Sequence, residues 1–128
     1  MHGGLTEEDG AAAARGLLAG RPRPTAVLAF NDQCATGVLD AFLRAGTGVP
    51  GQVSVVGFDD SRLARLAHVN LTTVGQDIPR LADLSVVRAL ARLEGQDMAA
   101  AETVVAPRLV VRGTTAAPRD ALRNAQET

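Results

Sequence analysis

Two kinds of apolar stretch alternate along the chain: short continuous runs of strand length and longer segments with helical spacing. The first helix signal is Thr6-Glu7-Glu8-Asp9, a capping-box-like start with carboxylates in the first turn. Ala11 to Ala14 and Leu17-Leu18 continue that helix, and Gly20 supplies a stop. Arg21-Pro22-Arg23-Pro24 reads as a loop, because each proline biases the preceding residue away from helix. Residues 25–30 form an apolar run of strand length, after which Asn31 or Asp32 caps a helix reaching Ala45. Ala35, Val38, Leu39 and Phe42 mark its buried stripe, while Asp40 and Arg44 form an i,i+4 pair on its wet side. Residues 46–51 make a turn, and residues 53–58 form a second continuous strand ending in Gly57-Phe58-Asp59-Asp60. Residues 61–67 predict one or two helical turns, and residues 71–74 are β-prone. Asp77 caps a third helix over 78–94, with Gly95 behind it. Leu81, Leu84, Val86, Val87, Leu90 and Leu93 cover so wide an arc that burial is expected on much of its circumference. Residues 103–112 read as an extended strand interrupted by Pro107, and residues 116–128 as a disordered tail behind a domain spanning 1–115.

Strands that are apolar throughout and alternate with helices predict parallel pairing with both faces covered. The expected fold is therefore α/β, a doubly wound parallel sheet. Ligands of such sheets bind beyond the carboxyl ends of the strands. Two polar pairs leave those ends: Asn31-Asp32 after the first strand and Asp59-Asp60 after the second.

Composition narrows the chemistry. The 128 residues are 46% hydrophobic and 21% charged, a globular balance, and the net charge of −1 lacks the positive field of a nucleic-acid surface. All 13 basic residues are arginine. Without lysine, a P-loop, a Schiff-base enzyme and a phosphoacceptor receiver domain are excluded or nearly so. The single cysteine, Cys34, rules out an internal disulfide framework or a cysteine-rich zinc site. Residues 1–10 show no secretory signal, and no run approaches the roughly 18 apolar residues needed to span a bilayer. A cytoplasmic location, no membrane contact, no metal and no cofactor are the expectations.

Four motifs then add a resemblance: 24–33, Pro-Thr-Ala-Val-Leu-Ala-Phe-Asn-Asp-Gln, followed by Ala35 and Gly37; Val49-Pro50 leading to Val53-Ser54-Val55-Val56-Gly57-Phe58-Asp59-Asp60; Leu71-Thr72-Thr73-Val74 with Gln76; and 107–115, Pro-Arg-Leu-Val-Val-Arg-Gly-Thr-Thr. In this order and spacing they resemble the LacI/GalR family of transcriptional regulators, over about residues 3 to 115. The resemblance implies the carboxy-terminal part of a periplasmic-binding-protein-like (type I) effector-sensing core. It implies that Asn31 and Asp59 hydrogen-bond an effector, often a sugar, and that Leu5 stands where many members stack an aromatic on it. It places Thr36, Leu63, Leu66 and Ala67 on homodimer surfaces. Segments near Val74 and Pro107 would be crossovers between lobes, carrying the helix from Ile78 into the other lobe. The DNA-binding head, hinge helix, most of the first lobe and the opening strands of the second would lie outside this chain, making it a fragment or a truncated product. Operator DNA would then be bound by the full-length family and not by this chain.

Each candidate has an ordinary structural alternative. Asp59 can accept two hydroxyls of one sugar edge or cap the segment from Ser61. Asn31 can serve a ligand and cap its helix together. Asp60 reads as a cap or turn residue, Asp32 as a stabiliser of the helix start, and Cys34 as a small buried hydrophobe. His2 and His68 are isolated and lack metal-ligand spacing. Arg62 and Arg65 read as a solvated face, and Leu63 and Leu66 as core or interface. The competing functions are an extracytoplasmic sugar-binding receptor lobe of a transport system, and a glycosidase using Asp32 and Asp59 as paired carboxylates. The expected function is effector binding and dimerisation, not catalysis.

Overall fold

Thr6 starts the first helix in the expected way: its hydroxyl accepts from Asp9 N while the Asp9 carboxylate accepts from Thr6 N. The computed structural model describes residues 4–96 and 103–118. Its elements are α1 (Glu7–Ala19), β1 (Ala26–Leu28), α2 (Asp32–Arg44), β2 (Ser54–Asp59), β3 (Thr72–Gly75), α3 (Ile78–Leu93) and β4 (Arg108–Val110). Gly20 closes α1, Asn31 caps α2 and Asp77 caps α3, each at a position legible from sequence. Arg44 and Asp40 pair at 2.8 Å on the exposed side of α2.

The four strands lie in the order β1-β2-β3-β4. β1 and β2 are parallel with Leu28 opposite Val56, and β2 and β3 are parallel with Val56 opposite Thr72. The fold is α/β with a mainly parallel sheet. β4 begins directly after Pro107, whose missing N–H cannot join a ladder.

The described residues divide into two compact units: those of Met1–Gly75 with Leu109–Thr128, and those of Gln76–Arg108. The first unit holds the core, built from Ala14, Ala35, Val38, Phe42, Val55 and Leu71 with their neighbours. Burial of a side chain such as Phe42 or Leu71 contributes roughly 1.5–3 kcal/mol. α1 and α2 pack against each other so closely that a Cβ at Gly37 would run into the backbone of Glu7.

Three expectations are corrected. Residues 61–67 form tight turns, with Arg65 N bonded to Arg62 O and Leu66 N to Leu63 O, and not α-helix. The bonds run from each amide to the carbonyl three residues back, and the Ala64 carbonyl ties the segment to β3 by accepting from Leu71 N. β1 is not covered on both sides: as an edge strand it leaves Leu28 80% exposed, with Phe30 beyond it at 71%. α3 buries only Ala91, leaving Val86, Val87, Leu90 and Leu93 more than half exposed. Most of the expected tail, residues 119–128, lies outside the described residues, while Ala116 exchanges two hydrogen bonds with Ser54 Oγ.

A candidate ligand rim at the carboxyl ends of β1 and β2

Parallel pairing carries its register to the strand ends. Asn31 follows Leu28 by three residues and Asp59 follows its partner Val56 by three, so both leave the sheet at the same rim. The backbone bond from Ala29 N to Val56 O, 2.8 Å, continues that register beyond β1.

Asn31 is used at both ends of its amide. Its Oδ1 accepts from Cys34 N at 2.7 Å, capping α2, and its Nδ2 donates to Leu5 O at 3.0 Å. A side-chain amide has two N–H groups and two lone pairs, so one of each remains for a ligand. The second bond also ties Leu5 to the rim. Leu5 N is held in turn by the Asp9 carboxylate, and its side chain is 55% exposed. A cleft of about 570 Å³ lies beside it, lined by Leu5, Leu28, Phe30, Cys34 and Val38 among others.

The two neighbouring aspartates differ in environment. Asp59 is exposed and sits at φ 108°, while Asp60 is buried at φ 51°. At the start of the following segment, Ser61 N donates to Asp32 Oδ2 at 2.7 Å. The other Asp32 oxygen accepts from Thr73 Oγ1 at 2.6 Å. Asp32 therefore does more than favour a helix start. It is a buried bracket joining α2, β3 and the loop after β2. Gly57 makes room for it, because a Cβ there would run into Asp32 Oδ1 and Leu71 Cδ2.

The expectation that Asp60 is only a cap or turn residue is also corrected. Its carboxylate accepts from Arg112 at 2.6 Å and from Arg65 at 3.0 Å. Burial pushes the Asp60 carboxyl up, but the hydrogen bonds and positive charges of Arg112 and Arg65 outweigh it and hold the pKa below the ordinary 3.8. Arg65 is thus not merely part of a solvated face. Arg112 is fixed further through Leu71 O and Thr72 Oγ1. Its role was missed from sequence, although an arginine ending the apolar run Leu109-Val110-Val111 was a signal: such a charge needs an acid partner.

Cys34 is buried, and burial, with the Asp9 charge adding to it, pushes its thiol above the ordinary value. That environment suits a small packing side chain. Of the dimer candidates, Thr36 is half-buried on α2 with its hydroxyl bonded to Asp32 O, Leu63 is half-buried, and Leu66 and Ala67 are exposed. His68 is exposed and His2 lies outside the described residues. Among the described residues, no cluster of His, Cys, Asp and Glu is placed to hold a metal, and no helix is long and apolar enough to cross a membrane.

Comparison with known proteins identifies the family. The family profile described as "Periplasmic binding protein-like domain" matches residues 1–115. Among curated relatives, the HTH-type transcriptional regulator MalR of Streptomyces coelicolor is 41% identical over 91% of this chain and 33% of its own length. GalR of Escherichia coli is 34% identical over 90% of the chain and 34% of its own. The chain spans about a third of the length of these relatives. A LacI transcriptional regulator from a Rhodococcus species superimposes with TM-score 0.82 at 52% identity, over 88% of this chain and 41% of that one. A LacI-family regulator from Lactobacillus casei, solved with bound sucrose, gives TM-score 0.71 at 31% identity over 87% and 41%. These relatives are regulators and not enzymes, and they favour that reading over a transport receptor. The chain belongs to the periplasmic-binding-protein-like family and corresponds to part of the effector-sensing core of LacI/GalR-type transcriptional regulators.

Proposed function

We propose that this chain supplies one wall of the effector site of a LacI-type regulator and part of its dimer surface. The observation that carries the reading is the shared register of Asn31 and Asp59, three residues beyond the paired Leu28 and Val56. An amide and a carboxylate on one rim suit the alternating donors and acceptors of a sugar or similar polar ligand. Relatives solved with bound sucrose and bound ribose support that ligand class. Leu5, held at the rim by Asn31, offers an apolar contact in place of a stacking ring. Thr36, Leu63, Leu66 and Ala67 would form the homodimer surface. Operator DNA would be bound by a head domain such as those the relatives' names denote, and the net charge of −1 suits a chain that does not itself touch DNA. A regulator of this kind acts in the cytoplasm.

The test is calorimetric titration of the chain with sucrose and ribose, alongside Asp59→Asn. Expected is binding near the millimolar range, weakened about tenfold or more by the substitution, which removes a charge-assisted hydrogen bond. Equal affinity in the variant would remove Asp59 from the site. Turnover of a glycoside, lost in the same variant, would revive the enzyme reading.

A further inference from the structure

The loop after β2 holds an arrangement that the ligand reading does not use. Asp59 and Asp60 are consecutive non-glycine residues at φ 108° and 51°. Aspartate enters the left-handed basin near the 51° of Asp60 more readily than most L residues, but the 108° of Asp59 lies beyond that basin and is held there by its surroundings. The next residue adds a second tension: Ser61 Oγ is buried without a hydrogen-bond partner. A buried hydroxyl left unpaired disfavours the present arrangement against any in which it finds a partner.

Four contacts impose the strain. Asp60 N donates to Thr73 Oγ1 at 3.4 Å, Ser61 N to Asp32 Oδ2 at 2.7 Å, and two guanidinium groups grip the Asp60 carboxylate. The two grips are unequal. Arg112 is 17% exposed and anchored by two further bonds to Leu71 and Thr72 on the strand side. Arg65 is 61% exposed and reaches Asp60 from the outer turn, bonding both its carboxylate and its carbonyl. One jaw is fixed and the other can let go.

We propose that residues 59–61 are a strained latch, held shut by Arg65 and Arg112 on Asp60, that couples the rim at Asp59 to the surface segment 62–67. A contact that turns the Asp59 peptide must turn the Asp60 peptide with it. Asp60 is bonded to Arg65, which stands among Leu63, Leu66 and Ala67. What the latch serves rests on the reading of Asp59 as a ligand contact; the latch itself does not.

Backbone amide hydrogen exchange on the full chain tests it without any ligand. Arg65→Gln removes the exposed jaw and spares the buried charge pair, so the fold should survive, whereas Asp60→Asn would disturb both pairs at once. Expected is exchange about two- to fivefold faster across 60–67, including Ser61, with α1 and β1 unchanged. Asp59→Asn, made at the opposite end, should alter exchange in the same segment. Changes confined to residues 64–66, or acceleration spread through α1 and α2, would overturn the latch. If the latch pattern appears while sucrose and ribose fail to bind, the ligand reading falls and the latch stands.

Discussion

The strand pair β2–β3 and the helix α3 are both rich in apolar residues, yet they meet opposite fates. On β2 and β3, Val55, Thr72 and Thr73 are essentially inaccessible, and side-chain hydroxyls of Thr72, Thr73 and Thr114 each make hydrogen bonds. On α3, Val86, Val87, Leu90 and Leu93 remain exposed at 53–84%. The strands are covered by α2 and by the loops that follow them, and those covers are locked by polar ties: Asp32 to Ser61 and Thr73, Asp60 to Arg112, Thr114 to Val55 O. The helix has a comparable apolar arc, of which only Ala91 is buried. An apolar pattern states what must be covered; it does not supply the cover.

Four measurements sharpen or break that contrast. Arg112→Ala should have the largest effect, about 3–5 kcal/mol of stability, because it leaves the buried Asp60 charge without its closest partner. A urea titration showing a loss below about 1 kcal/mol would mean that the network does not lock the strands. Asp32→Ala should cost about 2–4 kcal/mol, since the Thr73 hydroxyl and Ser61 amide both lose their acceptor.

The third is the response to acid. The Asp60 carboxyl titrates below its ordinary 3.8 in the folded chain, so its contribution to stability is fully present above that value. It is lost as pH falls below 3.8 through the folded value, because protonation breaks both ion pairs. Thermal unfolding from neutral pH downward should show a steeper acid loss in the parent chain than in Arg65→Gln, where one of the depressing charges is gone. Equal slopes would show that Arg65 does not hold the carboxylate.

The smallest effect is expected on α3. Val86→Ser with Leu90→Gln should change stability by less than about 0.5 kcal/mol per site, as exposed positions do. The same pair should nevertheless reduce self-association by light scattering, because the parent chain exposes a contiguous apolar face. A parent chain that stays monomeric at high concentration would contradict this.

Much of the frame was legible from residues alone. Thr6, Asn31 and Asp77 announced their helices because a short polar side chain at an N-cap meets an amide only three residues away. The placement of Asn31 and Asp59 at one rim followed from two apolar runs that could pair only in parallel across a helix. The roles of Asp32 and Asp60 exceed what local rules for caps and turns convey, because those rules carry no knowledge of partners that stand 29, 52 or 41 residues away, as Ser61, Arg112 and Thr73 do. At 61–67, where spacing predicts one or two helical turns, the chain makes tight turns with bonds from Arg65 N to Arg62 O and from Leu66 N to Leu63 O.

Sequence by itself determined the local grammar: which residues begin and end each helix, which runs pair in parallel, and where polar groups leave the strands. Those features depend on torsions and on bonds a few residues long, which a short stretch of chain carries with it. Only the tertiary structure decided which carboxylate is buried among guanidinium groups and which faces outward, although Asp59 and Asp60 are chemically identical neighbours. Their difference comes from Arg112, arriving from the far end of the chain, and Arg65, which both reach the Asp60 carboxylate; solvation and charge are set by what is near in space.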